Sequence, residues 1–253
     1  MKRWLVLLIA ALFFLAGCGR ATQDAGETDT DASSGGPGRT TVFAAASLSQ
    51  VFSEVAEGAD VSFSFDGSSG LVDQLVGGAP ADVFASADER TMTKAVEAGA
   101  VDGDPVMFAT NHLVLIVPVG NPGGVTGFDR SLDGVRLVTC APEVPCGAAT
   151  VRVAETGGVA LAPVSEESSV TDVLGKVTSG EADAGIVYAT DAARAGERVD
   201  TFDIPGATTD PNTYWIAKVA NAPNAAGADE FIALITGDQG RRALTESGFG
   251  PPL

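Results

Sequence analysis

Between Thr40 and Ser247 the chain alternates short, β-branched apolar runs with longer stretches whose apolar positions recur three and four residues apart. TTVFAAA (40–46) predicts a strand, and the segment behind it predicts a helix on Leu48, Val51, Phe52 and Val55. VSFSFD (61–66) and ADVFASAD (81–88) predict two further strands, each followed by a helix, SSGLVDQLVGGA and RTMTKAVEAGA. HLVLIVPVGNP (112–122) is a longer apolar strand, after which DGVRLVTCAP (133–142) restarts the alternation with the helix PCGAATVRVAETGG. GIVYATDAARAG (185–196) repeats the theme, and NTYWIAKVANAP (212–223) mirrors the strand at 112. A single helix from about Gly227 to Ser247 leads into a Gly-Pro tail. Repeated strand–helix units predict an α/β fold with parallel sheets covered on both faces. The layout divides into two α/β lobes joined by the strands near 112 and 213, with residues 40–111 and 213–253 in one lobe and 112–212 in the other.

Residues 1–39 follow another pattern. Lys2 and Arg3 precede LVLLIAALFFLAGC, an apolar run too short for a finished membrane span that ends in small residues at a thiol. This is a bacterial lipoprotein signal: residues 1–17 are the signal peptide and Cys18 is the acylated residue. The Gly-, Ser-, Thr- and acid-rich stretch to residue 39 cannot bury enough apolar surface to fold, so 18–39 reads as a lipidated tether. The expected location is outside the cell, anchored by lipid to the outer face of the cytoplasmic membrane.

With 33 acidic and 15 basic residues the formal charge is −18, which disfavours nucleic acid as a partner. Such a surface also repels small anions at long range, so any anion site must work through fixed local dipoles. Besides Cys18 the cysteines are Cys140 and Cys146. Outside the cell an isolated close pair forms a disulfide, the alternative being two thiols packed as small apolar groups. His112 is the only histidine and no further cysteine is present, which argues against a directly coordinated metal.

Four places share one design, in which a strand ends, a small or hydroxyl residue follows and a helix begins. They are Ser47, Ser68 with Ser69, the Pro-Cys-Gly at 145–147, and Ser168, Ser169 and Val170. The first turn of a helix exposes N–H groups without intrahelical partners at the positive end of the macrodipole, so several such ends converging make an anion site without a cation. Serine is also an ordinary N-cap, and Pro145 suits a first helical turn, so each motif alone is structural. Their recurrence at the carboxyl ends of strands, where α/β sheets place ligands, gives them joint weight. Asp66 reads as a turn or capping residue and Asp82 and Asp88 as structural, and Arg90, Lys94, Arg130 and Lys176 lie outside the donor motifs.

TVFAAASL, SFDGSSGLVDQL, GAPADVFASAD, PEVPCGA and GEADAGIVYATDA, in this order from Thr41 to about Gly248, resemble the molybdate-binding proteins that feed ABC transporters. The resemblance implies a type II periplasmic-binding fold whose two lobes close on a tetrahedral oxyanion. It implies that Ser47 and Ser68 donate from one lobe through hydroxyl and main-chain N–H. From the other, Cys146 and Val170 donate through the backbone and Tyr188 through its hydroxyl. Cys146 stands where the family often has alanine, a change to which a backbone donor is indifferent. The implied ligand is molybdate, with tungstate too similar to separate. The implied partner is an ABC permease with its ATPase, and the receptor itself is a monomer without a cofactor. A receptor for sulfate, another oxyanion or a small organic anion is the nearest rival.

Two other classes fit less well. A Cys146 nucleophile would need His112 as its base, a residue inside an apolar run, and no Gly-x-Ser-x-Gly elbow surrounds a serine. An adhesive surface protein would carry more than 6% aromatic residues. The chain therefore reads as a binding protein and not an enzyme.

Overall fold

The computed structural model describes residues 38–253, so the expected signal peptide, Cys18 and all of the tether except Gly38 and Arg39 lie outside the described residues. Two five-stranded sheets carry the described chain. The first is built on β1 (Thr40–Ala45), β2 (Val61–Asp66), β3 (Val83–Ser86), β4 (Val101–Asn111) and β10 (Asn212–Val219), in the order β2-β1-β3-β10-β4. The second uses β5 (Leu113–Pro118), β6 (Leu137–Cys140), β7 (Ser165–Glu167), β8 (Ala184–Tyr188) and β9 (Val199–Asp203), in the order β7-β6-β8-β5-β9. The backbone leaves the first sheet at Asn111, enters the second at Leu113, and returns between Asp203 and Asn212. This is the two-lobed type II fold, with a cleft between lobes joined by two hinge segments.

The sheets are mixed, not parallel as the strand–helix rhythm predicts. β1 pairs in parallel with β2 and β3, and β6 with β7 and β8. β10 runs antiparallel to β3 and β4, and β5 antiparallel to β8 and β9. The antiparallel pairs all involve the two strands that enter a sheet from the other lobe, so no local crossover helix sets their direction.

β4 and β9 carry no strand signal in the sequence. β4 opens with Asp102, Gly103, Asp104 and Pro105, residues that punctuate turns, and only its last four residues are buried. It is an edge strand whose register against β10 shifts twice, and an edge tolerates both proline and exposed charge. The expected single C-terminal helix is two, α7 (Ala225–Thr236) and α8 (Asp238–Glu246), because Gly237 adopts an extended ψ of −178°.

Helices cover both faces of each sheet. In the first lobe α1 (Ser49–Val55) and α7 seal one face, where Phe52 packs against Phe63, Phe108 and Phe231 at centroid distances of 6.4, 5.9 and 5.4 Å. α2 (Ser68–Val76) and α3 (Glu89–Glu97) bury Leu71, Val72, Leu75, Met92 and Ala95 on the other. The second lobe has one core, in which α4 (Pro145–Gly157) and α5 (Val170–Thr178) lay Ala149, Val153, Val173 and Val177 against β5, β6 and β8. α6 (Ala189–Ala195) follows β8 directly. At about 25 cal/mol per Å² of apolar surface, this burial gives each lobe its own core, and the strand ends of the two face each other.

Candidate functional site between the lobes

The strand ends meet at a small cavity. Its wall comprises Ala45, Ala46 and Ser47 after β1, Asp66, Gly67 and Ser68 after β2, and Ala87 after β3. The second lobe adds Val144, Pro145 and Cys146 at the start of α4, Ser168, Ser169 and Val170 at the start of α5, and Tyr188 at the end of β8. All five residues singled out as oxyanion donors, Ser47, Ser68, Cys146, Val170 and Tyr188, therefore line one space. About 20 Å³ is open to the centre of a water molecule. A sphere of that volume, widened by water's radius of about 1.4 Å, accommodates a body of roughly 3 Å radius, the size of one small tetrahedral anion.

The helix starts differ in how their first turns are capped, including those at the cavity. α3, α5 and α7 have side-chain caps, from Asp88 to the Thr91 N–H, Ser169 to the Asp172 N–H and Asn224 to the Gly227 N–H. α2 and α4 begin at Gly67 and Val144 without one, which leaves their first-turn N–H groups to whatever occupies the cavity. Two uncapped macrodipoles, one from each lobe, thus present partial positive charge to the same space.

The hydroxyls are held from behind. The Ser68 oxygen accepts the Ala87 N–H at 3.1 Å. The Tyr188 oxygen accepts from Asn212 Nδ2 at 2.8 Å, and Ser47 Oγ shares a hydrogen bond with Tyr214 Oη at 2.9 Å. Burial pushes the Tyr188 phenol well above its ordinary pKa, and the neighbouring Tyr214, Asp88 and Asp191 push it the same way. Burial likewise raises Tyr214. Both phenols stay protonated donors at physiological pH.

No lysine, arginine or histidine is among the lining residues, and Asp66 is their only ionisable carboxyl. Asp66 turns its Oδ1 onto the Gly67 N–H at 2.7 Å, as its reading as a turn residue requires. Asp82 accepts the Thr41 and Asn224 N–H groups and Asp88 caps α3, and neither lines the cavity. Arg90 serves closure instead: its guanidinium reaches the Glu143 carbonyl across the cleft at 2.8 Å, where Ser69 Oγ also donates at 2.9 Å. Lys94 pairs with Asp73 and Lys176 with Glu167. Among the described residues no cluster of His, Cys, Asp or Glu could hold a metal ion, and no helix is long and apolar enough to cross a membrane.

Cys140 and Cys146 are bonded, with a Cα–Cα distance of 5.7 Å. The bond pins the loop carrying Glu143 to the first turn of α4 and leaves no thiol for a Cys146 nucleophile. Asn212 and Tyr214 are site-supporting residues that the sequence does not reveal. They lie two apart on β10, a pattern indistinguishable from any half-buried strand, and reach the hydroxyls of Tyr188 and Ser47 only because β10 is the strand that returns from the second lobe.

The chain matches the family described as bacterial extracellular solute-binding protein over residues 38–250. It is 42% identical to the molybdate-binding protein ModA of Mycobacterium tuberculosis strain H37Rv, covering 99% of this chain and 100% of the relative. It is 31% identical to ModA of Escherichia coli K12, covering 98% of each. Among solved structures the periplasmic molybdate-binding protein of Azotobacter vinelandii superposes with a TM-score of 0.72 at 24% identity, covering 85% of this chain and 100% of that one, a likeness in fold. These relatives are named as binding proteins, not as enzymes. Matched from end to end by such proteins, the chain belongs to the bacterial extracellular solute-binding family.

Proposed function

We propose that this protein captures molybdate, and tungstate with it, outside the cell and hands the ion to an ABC permease driven by its ATPase. The observation that carries the reading is the convergence of five donor residues from two lobes on one cation-free cavity sized for a single tetrahedral anion. The Mycobacterium and Escherichia relatives, named as molybdate-binding, support the choice of ion. In this reading Ser47 and Ser68 donate from the first lobe, the Cys146 and Val170 amides and the Tyr188 hydroxyl from the second, and no cofactor takes part. Residues 40–111 with 213–253 and residues 112–212 move as two bodies about the crossings at 112 and 212. Cys18 carries the lipid that keeps a monomeric receptor at the outer face of the cytoplasmic membrane.

Uncharged donors select as well as bind. A protonated phosphate would turn its own O–H toward other donors, leaving a buried group unsatisfied at a cost of about 1 to 3 kcal/mol. Sulfate shares the charge and shape of molybdate, so the closed size of the cavity must exclude it. Calorimetry of the purified protein with molybdate, tungstate, sulfate and phosphate is the test. The expected result is strong heat with the first two and little with the others, and silence with molybdate would end the proposal. Palmitate labelling that is lost in Cys18→Ala checks the anchor.

A further inference from the structure

Asn212 is 3% exposed and opens β10 where the chain returns from the second lobe. Its Nδ2 lies 2.8 Å from Tyr188 Oη, 3.0 Å from the Ala87 carbonyl and 3.3 Å from the Pro145 carbonyl. The two amide protons go to the nearer acceptors, the Tyr188 hydroxyl and the Ala87 carbonyl at the exit of β3, and the carbonyl of Pro145, first residue of α4, at 3.3 Å can only share one of them. Both carbonyls are obligatory acceptors, so only the NH₂ end of the amide can face them. The other end is fixed too: Asn212 Oδ1 accepts from Arg152 Nη2 at 3.0 Å, while Arg152 Nε bonds Asp210 at 3.0 Å. The amide cannot flip without breaking both sides.

We infer that Asn212 is a positioning residue for ligand selection: by donating to the Tyr188 oxygen it occupies that atom's acceptor side and turns the phenolic proton into the cavity. The inference rests on the proposed role of Tyr188 as an anion donor. A competing acceptor for the proton is the Tyr214 hydroxyl, whose ring lies 5.9 Å from that of Tyr188. That hydroxyl shares a hydrogen bond with Ser47 and its oxygen can still accept from Tyr188, but a charged oxyanion is the stronger acceptor and draws the proton into the cavity. Ser68 follows the same scheme, since its oxygen takes the N–H of Ala87, whose carbonyl receives Asn212. The Tyr188 hydroxyl is thereby held as a donor toward the cavity. Without Asn212 it can rotate and accept, which relaxes the wall that rejects an anion bearing its own proton.

The test is a double-mutant cycle, read by calorimetry with molybdate on the full protein: wild type, Asn212→Ala, Tyr188→Phe and the double variant. If Asn212 acts through the hydroxyl, Asn212→Ala weakens binding about tenfold in the wild-type background and less than about threefold in the Tyr188→Phe background, where there is no hydroxyl to aim. Equal losses in both backgrounds would mean that Asn212 only braces the lobes, and would overturn the inference while leaving the proposed function standing. A wild type that gives no heat with molybdate would overturn both. Arg152→Met, at a side chain 44% exposed, guards against an Asn212→Ala that fails to fold. It is expected to weaken binding several-fold in the wild-type background and not in the Tyr188→Phe background, and equal losses there overturn the inference in the same way.

Discussion

Gly67→Ala tests whether ligand capture depends on the lobe contact seen here. Gly67 sits between β2 and α2 with φ −59° and ψ 132°, a conformation open to any residue, so alanine brings no backbone strain. The obstacle is space, because a Cβ on Gly67 would lie 2.0 Å from the Ser168 carbonyl oxygen of the opposite lobe. Ordinary contact begins at 3.4 Å, so the lobes must part by more than 1 Å at this point. The closing bonds to the Glu143 carbonyl, 2.8 Å from Arg90 and 2.9 Å from Ser69, would then stretch past the range of a hydrogen bond. One is charge-assisted and one neutral, worth together about 2 to 4 kcal/mol, and the second lobe's donors would also lose their reach to the anion. The expected loss of affinity is at least about a hundredfold. The unliganded protein needs no closure, and alanine restricts the unfolded chain, so its thermal midpoint should hold or rise slightly. Calorimetry with molybdate beside thermal unfolding without it reads both effects. Gly70→Ala is the control, since its Cβ would find only Asp66 Oδ2 at 3.8 Å. Affinity of Gly67→Ala within about threefold of wild type would refute the reasoning.

Ser68→Ala and Tyr188→Phe are each expected to weaken molybdate binding by about 1 to 2 kcal/mol. Only Ser68→Ala should also lower the thermal midpoint, because it strands the buried Ala87 N–H; unchanged affinity in both would place the ligand elsewhere. Replacing Cys140 and Cys146 together by alanine removes a cross-link with a sequence separation of 6, worth roughly 2 kcal/mol, so the denaturant midpoint should fall. Binding should weaken with it, since the Glu143 carbonyl and the start of α4 sit on that loop, and a variant matching wild type in both would show the loop held by other means. Asp191 is fully buried at the start of α6, its Oδ2 unpartnered and its other oxygen 3.1 Å from Arg194. Burial raises its pKa from 3.8 to about 6 against the opposing pull of Arg194. Between those values the native state holds the proton and the unfolded state does not, so this group's contribution falls as pH rises from about 4 to 6 and stays low above. Asp191→Asn removes that loss, on the order of 3 kcal/mol at most. Denaturant midpoints against pH should show the variant gaining on wild type across this window, and parallel curves would refute the assignment.

The local devices of this fold were legible in the chain. β1, β2 and β3, and the helix starts at Ser68, Pro145 and Val170, follow from hydrophobic period and first-turn chemistry, which act over a few residues and need no partner. So was the turn role of Asp66, because a carboxylate beside an unpaired N–H accepts from it, while Asp82 and Asp88 were legible only as structural residues. The edge strand β4 was not legible, for its Asp-Gly-Asp-Pro opening prefers a turn until β10 offers a ladder. Nor was the antiparallel direction of β5 and β10, or the break at Gly237, where α7 and α8 separate.

By itself, then, the sequence determined most of the elements, their order and the residues at strand ends and helix starts that the cavity brings together. Only the tertiary structure decided that donors as far apart as Ser47 and Tyr188 share one small cavity. It also placed Asn212 and Tyr214 behind the cavity hydroxyls, and showed that Gly67 must lack a side chain for the lobes to meet. The physical reason is range: helix caps and strand periods are settled between near neighbours, whereas the direction of a hydroxyl's proton and the closure of a cleft depend on groups that only the two chain crossings bring together.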